Sequence, residues 1–223
     1  MTLQIRQRDT MRRLPLYIVI DTSGSMNGEP IASVNVGLQA MVHALRQDPH
    51  ALDSVHLSLI TFDNEVKEIF PLTPLDQVQI PEMVCPKSGA TNLGAALEKV
   101  IASMDKEVQR SSADHKGDWR PMLFIMTDGA PSDTACFNEM VLKIRQRQFG
   151  RIIACAAGPK AKESYLKQLT DTVVSLDTTD SAAFARFFQW VSASVEQSSG
   201  AAGAGMNKTT PLPPPPDEIQ IVI

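Results

Sequence analysis

No stretch of this 223-residue chain approaches the roughly 20 consecutive apolar residues that a membrane-spanning helix requires, so no membrane span is expected. The first 13 residues carry Arg6, Arg8, Arg12 and Arg13 but no apolar core segment, which argues against a secretory signal there. Neither sign of charge is in large excess. With 21 Lys and Arg against 25 Asp and Glu, the net charge is −4, so the electrostatic footprint of a nucleic-acid or anionic-membrane binder is missing. Cysteine is sparse as well. Cys85, Cys136 and Cys155 are far apart and odd in number, and no pair has metal-ligand spacing. Cys155 lies in an apolar run and reads as a buried free thiol. His43 and His50 read as surface residues, since no second histidine stands at ligand spacing. These absences together point to a soluble protein of a reducing compartment, with cytoplasmic localisation expected.

What is present is ordinary in amount and informative in order. Hydrophobic residues make up 43% and charged residues 21% of the chain, typical of a globular domain with a substantial core. Residues 15–20 are apolar throughout, as in a strand covered on both faces. A helix is predicted from Glu29-Pro30, with proline favoured in the first turn. Its stripe is Ile31, Val34, Leu38, Met41, Val42 and Leu45, and it ends before Pro49. Residues 55–62 and 66–70, joined by a turn at Asp63-Asn64, predict an antiparallel hairpin. The proline-bearing stretch 71–87 predicts a loop.

Leu93, Leu97, Val100, Ile101 and Met104 mark the next helix, with Thr91 or Asn92 as its cap. Residues 110–120 read as a surface loop. Residues 121–127 predict a second buried strand, and a helix follows over 133–148. Residues 151–157 form a third apolar strand, followed by a helix over 161–169, a strand over 173–176 and a helix over 181–196. In that last helix Phe184, Phe187, Phe188, Val191 and Val195 are core residues at helical spacing. This alternation predicts an α/β fold, with a doubly wound, mostly parallel sheet, one antiparallel edge strand and helices on both faces. The expected organisation is an N-terminal extension over 1–13, one domain over 14–197, and a tail over 198–223. The tail starts flexible and Gly/Ala-rich, continues proline-rich, and ends in a short apolar segment. Ile219 to Ile223 either remains disordered or adds as a strand to a sheet edge.

The chemistry lies in three loops. Asp21-Thr22-Ser23-Gly24-Ser25-Met26 follows the first buried strand and places a carboxylate and two hydroxyls at alternate positions. Alone, this is equally a helix-capping turn. Thr91 opens a helix after a glycine-containing loop, and Asp128-Gly129 ends another buried strand. In a doubly wound sheet these loops meet at one crevice. Asp21, Ser23, Ser25, Thr91 and Asp128 would then present five oxygen side chains, a set suited to a hard cation.

Asp21-Thr22-Ser23-Gly24-Ser25, Gly89-Ala90-Thr91-Asn92 and Thr127-Asp128-Gly129, in that order, resemble the metal-ion-dependent adhesion site of von Willebrand factor A domains, and the resemblance covers residues 12–197. Residues 17–31 resemble a bacterial branch associated with tellurite resistance. Ala90 stands where many relatives have a second glycine.

The resemblance implies a Mg²⁺ or Mn²⁺ cofactor. Ser23 and Ser25 would bind it through their hydroxyls, and Thr91 directly or through water. Asp21 and Asp128 would act through waters and by orienting the hydroxyls. Thr22, Gly24, Met26, Asn27, Asn92 and Gly129 would line the site or face a partner. The implied function is non-enzymatic, namely docking of a partner protein's carboxylate on the cation. The tellurite-resistance branch further implies a scaffold or regulator in a stress-response system, with a protein kinase and a protein phosphatase as partners.

Two other readings compete. A Mg²⁺-dependent phosphatase would want a second Asp at position 23, where this chain has Ser. There is also no Gly-x-Ser-x-Gly elbow and no dinucleotide or Walker motif. A structural adaptor would work through the C-terminal tail instead.

Overall fold

A computed structural model describes residues 12–87, 89–114, 116–176, 178, 180–203, 211–216 and 220–222. Seven strands form one sheet: β1 (Leu14–Asp21), β2 (Val55–Phe62), β3 (Val66–Pro74), β4 (Met122–Thr127), β5 (Arg151–Ala157), β6 (Val173–Leu176) and β7 (Gln220–Val222). Their order across the sheet is β3-β2-β1-β4-β5-β6-β7. The five inner strands are mutually parallel, whereas β3 and β7 run antiparallel at the two edges. β3 is the expected antiparallel edge, and β7 adds a second one opposite it.

Every residue of β1 is buried, because helices cover both faces of the sheet. Leu16, Ile18 and Ile20 point to one side with α1 (Glu29–Leu45), the short α2 (Pro49–Ser54) and α6 (Ser181–Gly203). Tyr17 and Val19 point to the other side with α3 (Leu93–Glu107), α4 (Thr134–Gln146) and the single turn α5 (Glu163–Leu166). This alternation is the two-residue period of a strand expressed as two cores. α1 and α6 pack closely because residue 37 is glycine. A Cβ there would lie 2.3 Å from the Phe188 ring.

Three local expectations are revised. α2 fills the gap after Pro49, capped by Asp48, whose side chain accepts from the Ala51 amide at 2.6 Å. The predicted helix over 161–169 shrinks to α5. The expected flexible linker is helical as far as Gly203, because α6 does not end at Glu196. Ser194 and Ser198 donate to carbonyls one turn back, at 2.9 and 2.8 Å, so hydroxyls that favour loops are satisfied inside the helix.

Past the helix, Trp190 Nε1 donates to the Pro213 carbonyl at 2.9 Å, and Leu212 packs against the core. Of the predicted terminal strand, Gln220–Val222 pairs with β6 of this chain. Ile219 and Ile223, like residues 1–11 of the N-terminal extension, Ser88 and His115, lie outside the described residues.

The chain crosses from β1 to β2 on one side and later returns to place β4 on the other. The carboxyl ends of β1 and β4 therefore flank the point where strand order reverses, the crevice where open α/β sheets place ligands.

Candidate metal centre

Asp21 is the last residue of β1, and Thr127 is the last of its neighbour β4. Asp21 is fully buried, and both of its carboxylate oxygens are occupied. Oδ1 accepts from the Ser23 amide at 2.8 Å, and Oδ2 accepts from the Thr127 hydroxyl at 2.6 Å. The first bond tightens the turn after the strand, and the second ties β1 to β4. A separate chain of hydroxyls runs beside them. Ser23 Oγ lies 3.2 Å from Ser25 Oγ, and Ser25 Oγ donates to Asp128 Oδ1 at 2.8 Å. Ser23 and Asp128 are buried, while Ser25 is exposed, so the cluster opens to solvent at Ser25.

Thr91 is placed by a reciprocal pair across the crevice. Its amide donates to Ser132 Oγ at 2.9 Å, and its carbonyl accepts from the Ser132 amide at 2.9 Å. Thr91 Oγ1 then faces the Asp128-Gly129 turn, where a Cβ on residue 129 would lie 3.4 Å from it. The predicted cap is revised. Asn92 holds the cap position of α3 without a capping bond. The capping acceptor is Asp133, whose two oxygens take the Gly94 and Ala95 amides at 3.0 and 2.8 Å. The Thr91 hydroxyl is therefore not used for capping.

The structure thus brings Asp21, Ser23, Ser25 and Asp128 into one bonded network and sets Thr91 against its edge. Of the flanking residues, Thr22 is buried and turns its hydroxyl to the Phe62 carbonyl at 3.2 Å. Gly24 lies in the 3-10 turn Gly24–Met26, and Asn27 is exposed beside it. The Asn92 side chain donates to the Asn64 carbonyl at 3.1 Å. The Gly129 amide donates to Thr127 Oγ1 at 3.2 Å. Met26 is fully buried in the core, which leaves it a place behind the oxygen cluster and none on a partner-facing surface.

Thr127, Ser132 and Asp133 are the positioning residues that sequence reasoning did not assign. Asp133 was visible only as the start of a helix. Its real partner is another helix, 38–39 residues away.

Burial pushes the Asp21 carboxyl up to about 6, against the pull of its bonds to Thr127 and Ser23, and it also raises Asp128. Among the described residues neither carboxylate is paired with a lysine or arginine. Exposed Lys160, past the end of β5, exerts only a longer-range pull on Asp128. Two buried carboxylates and three hydroxyls without a cationic side chain fit a small divalent cation, which is bound by hard oxygen donors. Among the described residues there is no cluster of three His, Cys, Asp or Glu able to hold a metal. The fit therefore rests on hydroxyls.

The von Willebrand factor type A domain profile matches residues 16–189. The chain belongs to the von Willebrand factor type A domain family. Similar structures include the type A domain from Catenulispora acidiphila, at 15% identity over 83% of this chain and 43% of that one, with a TM-score of 0.62. Proximal thread matrix protein 1 from the mussel byssus, with a zinc-occupied MIDAS motif, is 17% identical over 82% of this chain and 48% of that one, with a TM-score of 0.55. The manganese-loaded TRAP protein of Plasmodium vivax is 20% identical over 79% and 73%, with a TM-score of 0.56. The chain spans less than half the length of the mussel and Catenulispora structures. At these identities the likeness to the three structures is one of fold. No curated protein sequence matches the chain.

Proposed function

We propose that this type A domain is a metal-dependent protein-docking module. Asp21, Ser23, Ser25, Thr91 and Asp128 would hold Mg²⁺ or Mn²⁺. The observation that carries the proposal is the Ser23–Ser25–Asp128 chain of hydroxyls and carboxylate, set beside a buried, cross-strand Asp21. With neutral hydroxyls as the direct ligands and the two carboxylates acting through waters, a bound cation would stay electrophilic and offer a docking point for a partner's carboxylate. Zinc in the mussel protein and manganese in the Plasmodium protein support a divalent ion here.

An enzyme reading is less well supported. Asp21 is the residue a phosphatase would use as nucleophile, yet both its oxygens are engaged, and residue 23 supplies no acid. The likeness of residues 17–31 to the tellurite-resistance branch extends the proposal to a cytoplasmic stress-response scaffold serving a kinase and a phosphatase. Among the described residues no helix is long and apolar enough to cross a membrane.

The test is thermal unfolding with and without about 10 mM MgCl₂ or MnCl₂. For a Kd near 1 mM, mass action adds about 1.4 kcal/mol, or roughly 3–5 °C at this chain length. Wild type should shift, and Ser25→Ala and Asp128→Ala should not. Equal shifts in all three proteins would refute the assignment.

A further inference from the structure

We propose that the turn between β2 and β3 positions Thr91 for the metal ion, through the side chain of Asn64. The inference rests on the docking function above. It adds Asn64 and Asp63 as positioning residues that belong to none of the three metal loops.

Asp63, Asn64 and Glu65 join β2 to β3. Asp and Asn in such turns usually bond their own backbone two residues on. Asp63 does so: its Oδ1 accepts from the Glu65 amide at 2.8 Å, and its amide donates to the Glu65 carbonyl at 3.0 Å. The turn is thereby closed without the Asn64 side chain. Asn64 is exposed, with water within reach. Its Oδ1 nevertheless accepts from the Ala90 amide, 26 residues on, at 2.7 Å. The Asn64 carbonyl accepts from Asn92 Nδ2 at 3.1 Å, and the Asp63 carbonyl accepts from the Asn92 amide at 3.2 Å. The turn therefore grips the chain on both sides of Thr91.

With the Thr91 amide on Ser132 Oγ, three successive amides, those of residues 90, 91 and 92, are each fixed by a partner on another segment. That matters because, among the described residues, no helix or strand lies between β3 and α3. Once this backbone is held, the Thr91 side-chain torsion alone places Oγ1 against the Asp128-Gly129 turn. The same hairpin also meets the first metal loop. The Thr22 amide donates to the carbonyl of Phe62, the last residue of β2, at 2.8 Å, and the Thr22 hydroxyl lies 3.4 Å from Asp63 Oδ2. One turn thus holds the Asp21–Ser25 loop and the Thr91 loop at a set separation. A loop already held in its binding geometry costs less to order when the ligand arrives. Loss of the Asn64–Ala90 bond should therefore weaken metal binding.

The test uses full-length wild type, Asn64→Ala, Asn64→Asp and Ser103→Ala. Each is titrated with MnCl₂, with free Mn²⁺ read by electron paramagnetic resonance, and amide exchange of the metal-free proteins is followed by NMR. Ser103→Ala is the control. It removes the 2.7 Å bond from Ser103 to Glu68, which also ties the hairpin to α3 but about 15 Å further along that helix. Asn64→Ala should raise the Mn²⁺ Kd about fivefold, the value of one hydrogen bond, and speed exchange of the Ala90 amide without metal. Asn64→Asp keeps the acceptor oxygen and should restore both readouts. It should do so even in 1 M KCl, where charges are screened beyond about 3 Å. Ser103→Ala should lower the unfolding temperature and leave Kd and Ala90 exchange unchanged. An unchanged Kd in Asn64→Ala, an equal rise in Ser103→Ala, or no rescue by Asn64→Asp would overturn the positioning role and leave the metal site standing. Wild type that binds no Mn²⁺ would overturn the metal site and this inference with it. Faster Ala90 exchange in Asn64→Ala would then mark the turn as purely structural.

Discussion

Asp21 is held between opposing demands. Two hydrogen bonds favour its ionised form, and burial opposes that form more strongly, leaving the carboxyl near 6. For a carboxylate raised in this way, folding takes up a proton between about pH 4 and pH 6. The cost of the buried charge is fully present above pH 6 and is relieved as the pH falls through that window. A metal requires the ionised form. The stabilisation conferred by MgCl₂ should therefore be complete at pH 7.5 and mostly lost at pH 5, as measured by unfolding temperature in paired scans. Asp21→Asn should abolish the metal response. At pH 7.5 it should also raise metal-free stability by about 1 kcal/mol, since removing a buried charge outweighs the weakened bond to Thr127. A metal-free loss of stability in Asp21→Asn at that pH would show that the two hydrogen bonds dominate instead.

Among the elements, α3 and α4 are coupled more tightly than either sequence suggests. Asp133, just before α4, caps α3. Residue 94 must be glycine, since a Cβ there would fall 2.4 Å from the Phe137 amide nitrogen. Asp133→Ala should cost about 1–2 kcal/mol in urea unfolding, the usual penalty for a lost helix cap. Because Thr91 immediately precedes that helix, the variant should also weaken the metal-induced shift. Gly94→Ala should destabilise by about 1–3 kcal/mol through overpacking.

This coupling marks where sequence reasoning stopped. The buried strands were legible because Leu16–Ile20 and Met122–Met126 are uninterrupted apolar runs. Asp21, Ser23 and Ser25 were legible because their spacing is local. The Asp133 cap, the Thr91–Ser132 pair and the Asp21–Thr127 bond join residues 38 to 106 positions apart, and no periodicity encodes such contacts. The extension of α6 through glycine and serine was hidden for a different reason. Its hydroxyls satisfy themselves on the helix backbone, against their usual preference.

Across the whole molecule, the sheet ends in two antiparallel edge strands. β3 carries Pro71 and Pro74, which blunt an edge strand, and β7 covers β6. With both faces under helices, the loop end carrying the proposed metal centre is the end left uncovered. Removing residues 211–223 should cost about 2–3 kcal/mol, from the lost packing of Leu212 and Ile221. It should also leave β6 as a bare edge, increasing aggregation in light scattering while the metal-induced shift is preserved. Loss of that shift in the truncated protein would instead tie the tail to the metal centre.

The bond from Trp190 to the Pro213 carbonyl gives the molecule a built-in optical reporter. The chain has only two tryptophans. Trp119 is stacked under the Arg12 guanidinium, 3.7 Å from its ring centre, while Trp190 is buried under the proline-rich segment. Release of that segment would wet the Trp190 indole and red-shift its emission. In Trp119→Phe protein the emission colour would follow the C-terminal segment alone, without any attached dye.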